Sequence, residues 1–506
     1  MVEPQTATVS KRIALAWPWQ RVALVSLVVL TLLLACINLP YAPRTWFDEG
    51  SHLHVPKTLV QYGVYADISS EGYRYHGPTI GVGPTVMLPI AAVFQRFGIG
   101  LLQGRLVIVT YLLVALTAGY ALARRLHGTT VALLALLLLL ASRTLNFEGF
   151  VEYGRQVLGE VPGSAFLFLG ALAWTWAVAE PRAWWRAAVT GLLFGLALVT
   201  KNQFVLIVPP ALGLAAFLDW RYYKTGGWAL RLLPVAIACG CFGLWTLMQL
   251  QFLGPDSFAA NLAQTRRAAG GAIFVFDLAA SVRALRYLAQ PFGMLLIPAL
   301  AVGLWRCRLR TPTAFAELPA VLIPTLWLGW YLISLGWPRY ALPVVAFGAL
   351  ATARLLADLV GWLRARRWPA LAWGVGLYAV VVIALPLALT ARGVMQPDDS
   401  AQRMATYLNA NVPTATIIET WEPELGLLTD HRYHYPPIEL LDTAVRDTWL
   451  AGPALVYDGL AQQPAYVVVG AFGAWVGIYP PATLAQSYRI AYQVGTYTLY
   501  ARAVAP

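Results

Sequence analysis

The chain has 506 residues, 59% of them hydrophobic and only 12% charged, and a mean hydropathy of +0.61, which excludes a soluble globular domain and requires a polytopic membrane protein. Its formal net charge of +12 does not point to nucleic acid, because the basic residues come as short clusters between apolar runs, the pattern of loops on the cytoplasmic side of a membrane. Of the four cysteines, Cys36, Cys239 and Cys241 lie in apolar runs and Cys307 in a basic loop, so no disulfide framework is legible.

About 20 apolar residues cross a bilayer, and fewer suffice for tilted helices. Eleven spans are expected, at 22–39, 105–123, 129–142, 161–179, 187–201, 202–219, 229–252, 285–303, 317–335, 340–360 and 369–390. The first, preceded by Lys11, Arg12 and Arg21, is read as an uncleaved anchor rather than a signal peptide, being long for a signal core and followed by no A-x-A site. The apolar segment 82–98 is placed in a first outer loop, 40–104, as a membrane-parallel or re-entrant helix. Its prolines Pro84 and Pro89 are awkward for a regular span. If it does not cross, Arg124 and Arg125, Arg182 and Arg186, Arg221 and Lys224, the three arginines at 306, 308 and 310, and those at 364, 366 and 367 all share the side of Lys11 and Arg12. An integral inner (plasma) membrane protein with a cytoplasmic N-terminus follows. Residues 187–219 give only 33 positions for two crossings, so that pair is expected to be tilted or broken at Lys201.

Beyond residue 390 the composition changes. Residues 391–506 hold six Arg against ten Asp and Glu, a net charge of −4, leaving +16 for residues 1–390. "DDSAQRMATYLNANVP" reads as a capped helix, "TATIIET" and "AYVVVG" as buried strands, and "GTYTLYARA" as an edge strand. The expected architecture is mainly α: a transmembrane bundle over 1–390 with interfacial helices, and an extracytoplasmic α/β domain over 391–506.

Several polar groups then converge on the outer face. Asp48 and Glu49 open a short interfacial helix, "DEGSHLHVPKTLVQYG". Helix capping by Asp48 accounts for one acid and not its neighbour. His52 and His54, with His431 and His434 of "HRYH", are candidate ligands for a divalent metal, but their spacing matches no recognised motif. No cofactor is assigned beyond that option. "YGRQVLGEVPG" places Arg155 and Glu160, and "GWPRYALP" places Arg339 and Tyr340, at outer helix ends. Arg155, Lys201 and Arg339 sit on separate outer tips, where the topological rule disfavours cations, and suit an anionic lipid head.

Taken in order, these elements resemble a known family over nearly the whole chain. The Asp-Glu pair after the first span, the proline-bearing interfacial segment, the "ARRLHG" inner loop, an Arg followed by an acid five residues on, the "LVTKNQFVLIVPP" hairpin and the "RY-x-x-P" element are similar to membrane glycosyltransferases of the C-type fold, above all the protein O-mannosyltransferase and lipid A aminoarabinose transferase group. The resemblance implies a polyprenyl-phosphate-linked sugar as donor, a protein, lipid or glycan acceptor, membrane lipid as a further partner, and inversion at the anomeric carbon. It makes Asp48 the first-loop catalytic acid, with Glu160 standing where the family usually has Asp and Lys201 and Arg339 on the phosphate side. Val82 and Gly83 stand where relatives often carry Lys or His before the proline pair, so His76 or Arg74 would replace that donor contact. In this chemistry Asp48 acts as general base on an acceptor hydroxyl, Glu49 or Glu160 orients it, and fixed cations stabilise the departing phosphate. The rival readings are a non-enzymatic scaffold subunit of a membrane complex or transporter whose outer acids merely cap helices, the transporter being expected to place polar groups at mid-bilayer, and a polymer ligase using a lipid-diphosphate donor.

Overall fold

In a computed structural model the structure describes residues 17–75, 81–268, 271 and 273–503. Lys11, Arg12 and His76 lie outside the described residues. Among the described residues, eight helices are long and apolar enough to cross a membrane: Trp19–Cys36, Leu101–His127, Glu160–Ala179, Asn202–Tyr223, Trp228–Leu253, Pro312–Ile333, Pro338–Ala365 and Pro369–Val394. Three shorter apolar helices, Thr129–Leu140, Trp184–Thr200 and Leu296–Arg306, of 12, 17 and 11 residues, fall in the other three segments expected as spans. One core, built around Leu112, Phe168, Trp174, Phe194, Trp327 and Phe347, runs through the bundle.

Two breaks shape the site end. The helix ending at Thr200 gives way to Lys201 in extended conformation (φ −144°, ψ 116°) and a short 3-10 turn, Asn202–Leu206. Pro209 and Pro210, in the first turn of the next helix, cannot donate to the turn before them. Lys201 is thereby held at a helix junction, as the shortness of 187–219 requires. The second break corrects the expected span at 285–303. A helix covers Leu278–Leu288, the chain turns through Pro291, Phe292, Gly293 and Met294, and a new helix begins at Leu296. Pro291 lacks an N–H, and Phe292, Gly293 and Met294 all have positive φ.

The first loop folds back on the bundle. Helix Phe47–Tyr62 is followed by a two-stranded hairpin, β1 (Asp67–Ser69) with β2 (Gly72–Arg74), and then by helix Pro84–Phe97. The last has 14 residues, about 21 Å at 1.5 Å per residue, short of the hydrocarbon core, and packs on Phe47–Tyr62 and Leu101–His127.

The C-terminal residues form a five-stranded sheet from β3 (Ile417–Thr420), β4 (Arg432–His434), β5 (Tyr466–Val469), β6 (Tyr488–Val494) and β7 (Tyr497–Arg502), in the order β4-β3-β5-β7-β6. β3 is parallel to β4 and β5, while β7 runs antiparallel to β5 and β6. "GTYTLYARA" is therefore not an edge strand: β7 is flanked on both sides, and its alternation reflects Tyr497 and Leu499 facing a core with Ile418 and Val468. The sheet region docks on the first loop. Phe47 stacks on Phe472 at 4.0 Å between ring centroids and meets Trp421 edge-on. Gly50 makes that docking fit, since a Cβ there would lie 2.2 Å from the backbone nitrogen of Glu424.

Candidate active site

The chain segments just described meet in a cavity of about 430 Å³ between the bundle end, the first loop and the sheet region. Asp48, His52, Gly81, Lys201, Arg339 and Tyr340 all line it. The centre is a chain of ion pairs. Asp48 binds the Arg339 guanidinium, Arg339 Nε lies 3.2 Å from Glu160 Oε1, and Lys201 Nζ lies 2.9 Å from the same oxygen. Glu160 is 3% exposed, Lys201 5% and Arg339 8%. Two carboxylates and two cations are neutral together, which is what makes such burial tolerable.

Each member is held by a local feature of the chain. Asp48 sits in the first turn of helix Phe47–Tyr62, after an extended Trp46. Its carboxylate goes to Arg339, a cation 291 residues distant in sequence, and the helix has no side-chain cap at its N-terminus. Glu160 opens the Glu160–Ala179 span. Arg339 lies in a 3-10 turn, Pro338–Ala341, between two spans, with Trp46 and Trp337 each 5.6 Å from its guanidinium carbon. Those rings support the cation and close it from water. Lys201 is fixed by an isolated bridge to Val82, and Gly83 N–H donates to the Thr200 carbonyl at 3.0 Å. A Cβ at Gly83 would fall 1.8 Å from the Val199 carbonyl oxygen, so only glycine permits the approach. "VGP" at 82–84 thus clamps the lysine through its backbone.

His52 Nδ1 lies 2.8 Å from the Val157 carbonyl, and an accepting carbonyl fixes Nδ1 as the protonated nitrogen. Burial pulls the His52 pKa down from 6.5 to about 4 against the opposing pull of Asp48, so the ring is neutral at physiological pH.

The remaining candidates go elsewhere. Glu49 faces away from the cavity into a fully buried pair with Arg105, at 2.9 Å and 2.6 Å, and accepts the Val157 N–H at 3.0 Å. Glu49 is therefore a structural anchor of the loop that carries Val157, and only through it of His52. Arg155 is spent on the backbone carbonyls of Leu34, Ile37 and Ala42, stitching the exit of the first span rather than meeting a ligand. Arg74 pairs with Asp67 and covers the Tyr435 ring at 4.7 Å. His54 lies 3.5 Å from Asp67, His431 bonds the Val412 carbonyl and His434 pairs with Glu419. These histidines do not meet His52, and among the described residues no group of three or more His, Cys, Asp or Glu is placed to hold a metal ion. Arg339 lies between Asp48 and Glu160 and pairs with both carboxylates.

Sequence reasoning missed Arg105, Trp46 and Trp337. A lone arginine early in an apolar span, in "LLQGRLVIV", signals a buried partner, and the tryptophans flank the singled-out "FDE" and "PRY".

This architecture, a helical membrane bundle with a first-loop acid set against cations at one end and a sheet region above, is the C-type membrane glycosyltransferase fold. Residues 82–245 match the family of dolichyl-phosphate-mannose-protein mannosyltransferases. Among solved structures, ArnT from Cupriavidus metallidurans bound to undecaprenyl phosphate superposes with a TM-score of 0.60 at 16% identity, over 96% of this chain and 98% of that one. The archaeal oligosaccharyltransferase AglB from Archaeoglobus fulgidus, in complex with an inhibitory peptide and a dolichol-phosphate, superposes with a TM-score of 0.56 at 12% identity, over 96% of this chain and 74% of that one. No curated protein sequence matches the chain significantly. The expected resemblance in fold is borne out.

Proposed function

We propose that the protein is an inverting glycosyltransferase that moves a sugar from a polyprenyl-phosphate donor to an acceptor hydroxyl at the outer membrane face. The observation that carries this reading is the Asp48–Arg339–Glu160–Lys201 chain of charges, in which Asp48, Arg339 and Lys201 line one cavity and the buried Glu160 joins the two cations behind its wall. Asp48 takes the acceptor proton as the acceptor oxygen bonds to the anomeric carbon, and the bond from that carbon to the phosphate oxygen breaks with its electron pair leaving on the phosphate. The leaving phosphate gains one negative charge as Asp48 loses one. Arg339 is then released from Asp48 at the moment the phosphate needs it, and Lys201 supplies the second cation. Attack from the face opposite the leaving group inverts the anomeric carbon, by the geometry that governs inverting glycosidases.

The match to ArnT bound to undecaprenyl phosphate and to AglB with dolichol-phosphate supports this donor class. The apolar flank of the cavity, with Phe242, Trp245, Phe258 and Leu262, gives an isoprenoid a surface to lie on. Phe472 and Trp475, from the sheet region, face it and would contact the acceptor. A transporter is disfavoured because the paired acids and cations gather at one bundle end rather than midway. Purified protein in liposomes, given a panel of radiolabelled polyprenyl-phosphate sugars and membrane extract, should move label out of the polyprenyl fraction and accumulate free polyprenyl phosphate. No turnover with any member of the panel, together with no binding of polyprenyl phosphate, would overturn the reading.

A further inference from the structure

A second cavity lies at the opposite end of the bundle. Helix Trp184–Thr200 reaches the active-site cavity at Lys201, and helix Leu101–His127 leaves that region to end at His127. There a hollow of about 580 Å³ opens between the ends of the Leu101–His127, Glu160–Ala179, Leu296–Arg306 and Pro312–Ile333 helices and the flank of Pro338–Ala365. Arg125, Arg306 and Arg354 line it. Arg306 and Arg354 share one carboxylate, Asp358. Glu317 lies 3.5 Å from His127 Nε2. Arg125 has a single long contact, 3.4 Å to the Thr175 carbonyl, and its side chain is exposed. Three guanidinium groups therefore face two carboxylates, and one positive charge is left over.

A second observation points the same way. The 22-residue helix Pro312–Ile333 begins at this hollow, with Thr311 and Thr313 on its wall. Thr311 Oγ1 accepts the Ala314 N–H at 3.2 Å, so the helix start is fixed with its positive end toward the cavity. The Thr311 and Thr313 hydroxyls bond each other at 3.0 Å, which leaves one of the two O–H groups to donate outward, and a concave site with excess guanidinium charge, that hydroxyl and a helix N-terminus recognises a phosphate group. The exposed Leu309 on its wall, with Trp305 exposed one residue before Arg306, suits the glycerol and acyl part of a phospholipid.

We infer that this hollow binds a phosphate group, presented by an anionic phospholipid of the leaflet opposite the active site. Bound there, the phosphate bridges helices that carry Glu160 and Arg339 at their far ends. The inference does not rest on glycosyl transfer.

The test is a thermal melt of the purified full-length protein titrated with phosphatidylglycerol, with phosphatidylcholine and inorganic phosphate as parallel probes. A ligand that binds only the folded state raises the Tm with its concentration. Two variants carry the comparison: Arg125→Glu, at an exposed side chain, and Thr313→Glu, which puts a carboxylate where a helix N-terminus tolerates it but repels phosphate. Each should raise the phosphatidylglycerol concentration for half the shift about tenfold, the loss of one charge-assisted contact. Arg366→Glu, on the same face but outside the hollow, should leave the midpoint unchanged. A shift with phosphatidylglycerol alone identifies the lipid head; an equal shift with inorganic phosphate identifies a soluble source of the same chemistry. Equal midpoints in wild type and both hollow variants, an equal effect of Arg366→Glu, or phosphatidylcholine acting as well as phosphatidylglycerol would overturn the inference.

Discussion

Asp48 and Arg339 form an ion pair that joins the first loop to the turn between the ninth and tenth apolar segments, and the same guanidinium reaches Glu160 at 3.2 Å. On the proposed function, a donor phosphate entering the cavity would compete with Asp48 for this cation. Arg339→Ala should therefore weaken polyprenyl-phosphate binding by about 1.5–3 kcal/mol, the worth of a hydrogen bond to a charged group. Arg339→Lys should recover only part, because the forked geometry that spans two acids or two phosphate oxygens is lost. Lipid affinity measured on folded protein checks both; unchanged affinity in the two variants would reduce Arg339 to a structural link between Asp48 and Glu160.

Glu49, the neighbour of Asp48, has a different task. Its bidentate pair with Arg105 is wholly buried, so Glu49→Gln leaves an unneutralised guanidinium and should cost about 3–5 kcal/mol of stability. Glu49→Leu combined with Arg105→Met should recover much of that loss, since removing both charges also removes their desolvation penalty. Thermal melts of the three proteins decide the matter. A Glu49→Gln protein that melts normally but no longer transfers sugar would return Glu49 to the catalytic list.

His52 gives a pH signature. Burial depresses its folded pKa from 6.5 to about 4, so the unfolded chain takes up the proton first as pH falls. The contribution of His52 to stability is complete above about 6.5 and is lost as pH drops toward about 4. His52→Asn, which can still donate to the Val157 carbonyl, should flatten that part of the acid limb while leaving stability at pH 8 nearly unchanged. Superimposable acid limbs for the two proteins would show that the ring takes up its proton at the same pH in the folded and the unfolded chain, against the depression that burial gives.

Ten of the eleven apolar segments, the interfacial helix at 84–97, the break at Lys201 and the sheet-bearing C-terminal region were legible because hydrophobic run length, proline position and a change of composition carry them directly. The single span at 285–303 was not, because Pro291 and three positive-φ residues after it interrupt an otherwise apolar stretch. At the site, Asp48, Glu160, Lys201 and Arg339 were legible as charges stranded at helix ends. Which acid does which task was hidden, since adjacent residues on a helix point about 100° apart and Glu49 turns to a partner, Arg105, that lies in a span. Arg155 misled for a similar reason: three backbone carbonyls left without partners where the first span ends recruit a cation as effectively as a phosphate does.

Sidedness is open to chemical labelling. In a cysteine-free background, Ser400→Cys should react with a membrane-impermeant reagent from the outside and Gly128→Cys should not, because Gly128 belongs to the end where Arg125 and Arg306 gather. The reverse pattern would invert the protein in the membrane and put the active-site cavity on the inner face.

The central claim is that Asp48 is the base. Asp48→Asn keeps the side-chain shape and a polar contact for Arg339 but removes the basic carboxylate, so the fold and donor binding should survive. Sugar transfer from a synthetic polyprenyl-phosphate sugar, measured beside a thermal melt of the same preparation, should then fall by about a hundredfold or more, the usual worth of a positioned base, with the melt little changed. Full transfer activity in a well-folded Asp48→Asn protein would contradict the account and leave Asp48 as no more than the counter-ion of Arg339.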